Sequence, residues 1–451
     1  MKTAIPISKK LFDIYLLFTR EPFVQYFTKE LEFYTNGNGG LLGLISLDIT
    51  DNDYYACILS RDKSKQYRAE LVTASIETIE EARNWIDEKM SSNSIVFHDN
   101  KHEYFDVFKD LNNDHKQHPN YKLLNSSIAF SSAKETIKEI SYHYKDIDGN
   151  FIDQFQSVNG FDSRVWELFL FCFFREQFFS FKRNYDAPDY MIEKFNQEIA
   201  VEAVIVSRKT DMGDSLKSPE EIEKKLNNEV PLLFGNALFD KMKKKYWEKE
   251  HVMGKPFLVA IADFHDTMSM SWTFSALSDY LYGYKYDYSF DKKGKLIVKP
   301  VKIGSFIKQN GTEIPSGFFF FPESENISAV IFSSCGTLSK FNRMGKQAKL
   351  GNTIPTLMRT VNFYNHTPNA DKASIATYIV DETSEETWSE GAIVFHNPNA
   401  NIPLNPELFD DKVAQCFFDN NLIKSLMPKY FPYGSITINL IPKDEKNKGQ
   451  K

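Results

Sequence analysis

The stretch FDSRVWELFLFCFFREQFFSFKRNYDAPDYMIEKFNQEIAVEAVIVSRK, residues 161–209, places three acidic residues in segments that are otherwise apolar. Glu167 lies in a run without Gly or Pro that predicts a helix over 164–181. Asp189 follows a proline at the start of a short predicted strand, and Glu202 interrupts a second predicted strand over 198–207. A carboxylate in an apolar element costs free energy unless it is paired, hydrogen-bonded or bound to a cation. These three acids are therefore candidate functional residues.

The segments that follow extend this unit. SPEEIEKKL and ALFDKMKKKYWEKE predict two helices, and FLVAIADF, residues 257–264, predicts a fully buried parallel strand. Alternation along the second strand places Glu202, Val204 and Val206 on one face. The expected core is thus a mixed sheet with flanking helices.

The order helix, strand, strand, helix, buried strand over about 160–285 resembles the core of the PD-(D/E)xK, or restriction-endonuclease-like, nuclease superfamily. The resemblance implies that Glu167, Asp189 in APDY and Glu202 in VEAV bind Mg²⁺ or Mn²⁺. It also implies a metal-dependent nuclease that cleaves DNA or RNA phosphodiesters, and by analogy a role in phage defence or repair. Mg²⁺ prefers hard oxygen ligands, so the residue types agree with such a site.

One position departs from the superfamily pattern, which has a lysine two residues after the strand acid. Val204 occupies that position and can neither position a water nor donate to a phosphate. The following helix offers Lys241 and Lys245, spaced i, i+4, as substitute donors. Arg208 and Lys209, at the end of the strand, are a second source.

Simpler interpretations stay open for each acid. Glu167 could pair with Arg164 or lie on the helix surface, Asp189 could form a turn at the strand entry, and Glu202 could be an edge-strand charge. The corresponding alternative function is a catalytically inactive nuclease-fold module that binds nucleic acid or a protein partner.

Two further groups of residues follow from position and charge. Asp263, His265 and Asp266 come just after the buried strand, where the sites of α/β proteins often lie. They could serve as accessory ligands or as a base, or Asp263 could cap the following helix or turn.

The stretch GTLSKFNRMGKQAKLG predicts a helix on which Lys340, Arg343 and Lys346 would contact nucleic-acid phosphates. The alternative is a solvated basic face, with Phe341 in the core or stacking on a base.

Composition and texture predict several regions. A length of 451 residues with 42% hydrophobic residues favours more than one domain. We expect an N-terminal α/β domain at 1–125, a connecting segment at 126–160, the nuclease-like core at 161–285, a β-rich C-terminal region at 286–442 and a disordered tail at 443–451. The overall class is α/β, or α+β when the β-rich half is included.

The remaining expectations concern environment and partners. No apolar run is long enough to span a bilayer, and Lys9 and Lys10 interrupt any signal-like segment, so we expect a cytoplasmic protein. Four scattered cysteines without a CxxC pair predict neither disulfides nor a thiolate zinc site. With a net charge of −7, we expect any binding of nucleic acid to be limited to a local basic groove. A homo-oligomer or a protein partner could form through the flanking domains. His98, His102, His115 and His118 predict a solvated loop.

Overall fold

The computed structural model describes residues 3–37, 39–91, 104–111, 116–182, 184–208, 217–308 and 310–442. Helices and strands are both abundant in this part of the chain and the strands form several sheets, so the fold is of the α/β class. The C-terminal half is rich in strands, as predicted. Within the described ranges, no helix is long and apolar enough to cross a membrane. Lys209, His98, His102, His115 and the predicted tail at 443–451 lie outside the described residues.

The elements are numbered in chain order. The helices are α1 (Lys9–Leu16), α2 (Ile79–Ser91), α3 (Pro119–Ser126), α4 (Ser131–Ser141), α5 (Phe151–Gln156), α6 (Phe161–Glu176), α7 (Pro219–Asn227), α8 (Glu229–Met242), α9 (Phe274–Tyr282) and α10 (Leu338–Gln347). The strands are β1 (Ile5–Pro6), β2 (Thr28–Thr35), β3 (Leu41–Asp48), β4 (Tyr54–Arg61), β5 (Tyr67–Ile76), β6 (Ser180–Phe181), β7 (Tyr190–Lys194), β8 (Gln197–Val206), β9 (Phe257–Asp263), β10 (Tyr284–Phe290), β11 (Leu296–Lys302), β12 (Ser305–Ile307), β13 (Glu313–Pro315), β14 (Ala329–Ser333), β15 (Thr356–Phe363), β16 (Ser374–Val380), β17 (Ala392–His396), β18 (Ala414–Asp419), β19 (Leu422–Leu426) and β20 (Pro432–Leu440).

The N-terminal region is an antiparallel sheet in the order β1-β2-β3-β4-β5. Its central strand β3 is apolar on both faces because a helix covers each of them. Leu42 packs with Phe12 of α1 on one face, and Ile45 packs with Ile86 of α2 on the other. Gly43 lets α2 approach, since a β-carbon there would lie 2.7 Å from Met90 Cε.

The central sheet has eight strands in the order β19-β18-β17-β14-β9-β8-β7-β6. Strand β9 pairs in parallel with β8 on one side and β14 on the other, and all of its residues are buried. The prediction of an interior parallel strand is confirmed. Because β14, β17, β18 and β19 belong to the same sheet, much of the C-terminal half continues the central core.

Helices α6 and α8 cover opposite faces of this sheet. Tyr190 pairs with Val201, and the Tyr190 hydroxyl donates to the Glu167 carbonyl of α6 at 2.7 Å. Glu202, next along β8, projects to the other face and contacts Lys241 of α8.

The remaining strands form smaller sheets. β10 pairs with β11, β12 with β13, and β16-β15-β20 make a three-stranded sheet. Helix α10 connects to that sheet through Arg343, whose guanidinium donates to Thr437 Oγ1 of β20 at 2.8 Å. Through this contact, Arg343 of the predicted basic face points into the protein.

Candidate functional site

The three acids found in the sequence lie on adjoining elements, with Glu167 on the helix that covers one face of the central sheet and Glu202 on a strand residue that projects to the other face. Glu167 is buried in the middle of α6, and Glu202 is buried in β8. Asp189 immediately precedes β7, and its Oδ2 accepts a hydrogen bond from Ala203 N at 2.7 Å. That bond fixes the Asp189 carboxyl beside the residue that follows Glu202.

A lysine from α8 occupies the position beside the strand acid. Lys241 Nζ lies 2.6 Å from Glu202 Oε1, and the Tyr246 hydroxyl donates to the same oxygen at 2.8 Å. The Lys241 side chain is 18% exposed, so the ammonium is within reach of solvent while Glu202 is buried. Val204, two residues after Glu202 in β8, is apolar, and Lys241 brings an ammonium to the Glu202 carboxylate from another element.

Glu167 has its own partners on the α6 side of the sheet. Arg164 Nη1 lies 2.7 Å from Glu167 Oε2, and the Tyr144 hydroxyl donates to that oxygen at 3.1 Å. The ion pair with Arg164, one of the simpler interpretations of the sequence, is therefore present. We call Glu167, Asp189, Glu202, Arg164 and Lys241 the acidic cluster.

Within the acidic cluster, the pKa of Asp189 is strongly shifted. Burial raises the pKa of its carboxyl well above the usual value, and the neighbouring Glu202 and Glu167 raise it further. The hydrogen bond from Ala203 N and the charge of Lys241 act in the opposite direction without cancelling the rise. A bound cation would stabilise such a group of carboxyl side chains by reducing the repulsion between their negative charges.

The fit of the acidic cluster to a divalent cation rests on donor chemistry. Carboxylate oxygens suit Mg²⁺ and Mn²⁺. Within the described ranges, no three Asp, Glu, His or Cys side chains are gathered as a metal site. Mg²⁺ is commonly held by only one or two carboxylates with waters, so Asp189 and Glu202 are the pair that fits.

Lys245, the other candidate donor, lies elsewhere. Helix α8 ends at Met242, and Lys245 has a left-handed backbone with φ of 47°. Its ammonium contacts Glu323 and lies 3.8 Å from Glu248. The predicted i, i+4 relation to Lys241 is wrong because the helix stops before the second lysine.

The predicted basic helix forms as α10, but its face is not a phosphate-binding surface. Lys340 is 0% exposed and Arg343 is 1% exposed. Arg343 Nε and Nη2 each lie 2.7 Å from the Glu386 carboxylate, and Lys340 Nζ lies 2.9 Å from it. Arg359 of β15 joins them, 3.5 Å from Glu386 and 2.7 Å from Glu390. The nucleic-acid role predicted for Lys340 and Arg343 is wrong, because both side chains are buried and form ion pairs with Glu386.

We call Lys340, Arg343, Arg359, Glu386 and Glu390 the basic cluster. Lys346, at the end of α10, is partly exposed and donates to the Thr353 carbonyl at 2.9 Å. Phe341 is buried against Trp388 at 5.2 Å between ring centroids, which agrees with core packing.

Asp263, His265 and Asp266 lie at the carboxyl end of β9. Asp263 Oδ1 accepts from His265 N at 3.0 Å and from His265 Nδ1 at 2.7 Å. Among the described residues, neither Asp263 Oδ2 nor His265 Nε2 has a hydrogen-bond partner, although both side chains are buried. Asp266 lies 3.3 Å from Lys225 of α7.

A cavity of about 690 Å³ opens at the carboxyl ends of β8 and β9. Its lining includes Asp263, Asp162 of α6, His118 and Arg208. Burial raises the pKa of Asp162 to about 6, and burial lowers that of His118 to about 4, with Arg208 lowering both. The sequence interpretation did not single out Asp162, and its assignment of His118 to a solvated loop is wrong, because only the tertiary fold brings these two residues to one cavity.

No protein-family model, no curated protein and no solved structure matches this chain. The functional argument therefore rests on the acidic cluster and the cavity themselves.

Proposed function

We propose that the chain is a divalent-cation-dependent phosphodiesterase that cleaves DNA or RNA in a reducing cytoplasm, where its four free cysteines remain reduced. The observation that carries the proposal is the 2.6 Å contact between Lys241 and Glu202, beside an Asp189 whose pKa is raised by burial and by neighbouring carboxyl groups. Together they supply the aspartate, glutamate and lysine that the resemblance requires, with the lysine delivered from α8.

In this proposal Asp189 and Glu202 hold the cation. When bound, Mg²⁺ or Mn²⁺ would lower the pKa of a coordinated water and stabilise charge on the scissile phosphate. In the proposal Lys241 would orient that water or donate to a phosphate oxygen, a role supported by its contact with Glu202 and its partial exposure. Glu167 supports the site through its charge, while Arg164 and Tyr144 keep its carboxylate in place.

A second candidate function is a nuclease-fold module that binds nucleic acid or a protein partner without cleaving. It is favoured by the internal partners of the acids, because both donors to Glu202 converge on Oε1 and an ion pair holds Glu167. In that case the cluster holds the sheet to its helices.

The test combines cleavage with metal binding. Full-length chain would be incubated with single- and double-stranded DNA and RNA in Mg²⁺, Mn²⁺ or EDTA, and Mn²⁺ binding would be measured by calorimetry. We expect metal-dependent cleavage that Asp189→Ala abolishes. Lys241→Met should lower the rate by about 10²–10³-fold, the typical effect of removing one charge-stabilising donor.

Lys243→Met is the matched control, because Lys243 is exposed beyond the end of α8 and pairs only weakly with Asp240 at 3.5 Å. It should cleave like the wild type. Cleavage that survives Asp189→Ala would contradict the proposal. Absence of both cleavage and Mn²⁺ binding in folded protein would favour the non-catalytic module.

A further inference from the structure

The cavity at the carboxyl ends of β8 and β9 contains a buried acceptor that lacks a donor. Asp263 is 1% exposed, lines the cavity and uses Oδ1 for both bonds to His265. Its Oδ2 has no partner in the described part of the chain. A buried carboxylate oxygen without a donor is costly, so a ligand that donates a hydrogen bond there is strongly favoured.

A second acidic side chain in the cavity can also accept a hydrogen bond from a ligand. Asp162, in the first turn of α6, lines the same cavity. Two carboxyl groups that line one cavity can both accept hydrogen bonds from an amino group or another donor-rich edge.

The cavity also presents features that attract an anion. Arg208 lies at its rim, with Nη2 3.4 Å from Thr267 Oγ1. Thr337 and Leu338, at the amino end of α10, line it as well, and Thr337 makes no side-chain cap to the first-turn amides. An arginine near a helix amino end is suited to a phosphate group.

The cavity lining also includes a flat aromatic ring. The His118 imidazole lines the cavity and stacks on Phe161, with 4.9 Å between ring centroids and 12° between planes. A volume of about 690 Å³ falls in the usual range for small-molecule sites and exceeds what a simple amino acid would fill.

From these observations we infer that the cavity binds a nucleoside monophosphate whose base carries an amino group. The amino group donates to Asp263 Oδ2 with Asp162 beside it, and the phosphate lies toward Arg208 and the amino end of α10. This site is separate from the acidic cluster, and the inference does not depend on phosphodiesterase activity.

The test is calorimetric titration of the full chain with AMP, purine riboside 5′-monophosphate and adenosine. We expect AMP to bind about tenfold or more tightly than the purine riboside analogue, which lacks the amino group and leaves the buried acceptor unpaired. AMP should also bind about tenfold more tightly than adenosine, and Arg208→Met should remove that preference. A 5′-phosphorylated oligoadenylate distinguishes the end of a strand from a free nucleotide as the source of the same group.

Asp263→Asn should remove the preference for AMP over the analogue. Because Asp263 also holds His265, Asp162→Asn provides a second variant that should weaken AMP binding without breaking that contact. Asp240→Asn, on the exposed surface of α8, is the control and should bind like the wild type. Equal binding of AMP and the analogue by folded wild type, or no binding of AMP at millimolar concentration, would overturn the inference.

Discussion

The acidic and basic clusters are both buried groups of charged residues, yet their electrostatics differ. The basic cluster satisfies its charges, because burial opposes ionisation of Glu386 but Arg343, Arg359 and Lys340 outweigh it and lower its pKa. In the acidic cluster the balance goes the other way, and the pKa of Asp189 is raised. A cluster whose charges are paired stabilises the fold, whereas one that contains a buried carboxyl with a raised pKa is a candidate for cation binding. This contrast separates a structural group from a candidate site.

The largest effect should come from breaking the basic cluster. Glu386→Gln would leave Lys340 and Arg343 buried without a carboxylate partner in the described part of the chain, while Arg359 would keep Glu390. Removing one partner of a buried ion pair typically costs about 3–5 kcal/mol, so the free energy of unfolding should fall by that amount. Urea denaturation followed by circular dichroism measures it.

The control is Glu382→Gln at the exposed pair with Lys349, where both side chains are more than half exposed. Exposed pairs often contribute nothing measurable, so no change is expected. A loss at Glu386 no larger than at Glu382 would mean that the basic cluster is not a structural centre.

The next largest effect should follow from removing the lysine of the acidic cluster. Lys241→Met leaves Glu202 buried with only the Tyr246 hydroxyl as a donor to Oε1 among the contacts described above. Losing a hydrogen bond to a buried charged group costs about 1.5–3 kcal/mol, so the unfolding midpoint should fall accordingly. Added Mg²⁺ should recover part of the loss if the acids bind a cation. No recovery would place the cluster with the structural ones.

Much of this contrast could be predicted from the sequence, but not all of it. Periodicity and apolar runs located α6, β8 and β9, and the resemblance to the nuclease superfamily implied that Asp189 and Glu202 would lie together. Lys241 was found because helical spacing is local. Arg343 was misjudged because its partner, Glu386, lies 43 residues further along the chain, and helical spacing says nothing about such a contact.

Other errors have similar causes. The predicted helix over 164–181 begins at Phe161 and ends at Glu176, just before Phe178, whose φ is 64°. The eight-stranded sheet takes strands from both sides of residue 286, and composition alone cannot assign a strand to one sheet or another. Pairing between distant segments is set by tertiary packing.

A smaller effect should appear in the pH dependence of stability. The pKa of Asp189 is higher in the folded protein than its ordinary value of 3.8. Its contribution to the free energy of unfolding is therefore fully present below pH 3.8 and is lost as the pH rises through the folded pKa. Asp189→Asn removes this loss, so the variant should exceed the wild type in melting temperature at pH 8. The difference should shrink toward pH 4. A constant difference across that range would show that the carboxyl is not strained.

The smallest effect is expected at Lys245, which the sequence could not distinguish from Lys241. Its contacts with Glu323 and Glu248 are exposed, and it lies beyond the end of α8. Exposed ion pairs are weak because water screens them, so Lys245→Met should leave the melting temperature and Mn²⁺ binding unchanged. Measured beside Lys241→Met, it holds the change of residue type constant while varying only position. If the Lys245 variant instead lost cation binding or cleavage, the identity of the lysine that serves the acids would be reversed, and the distinction drawn between strained and satisfied clusters would lose its main support.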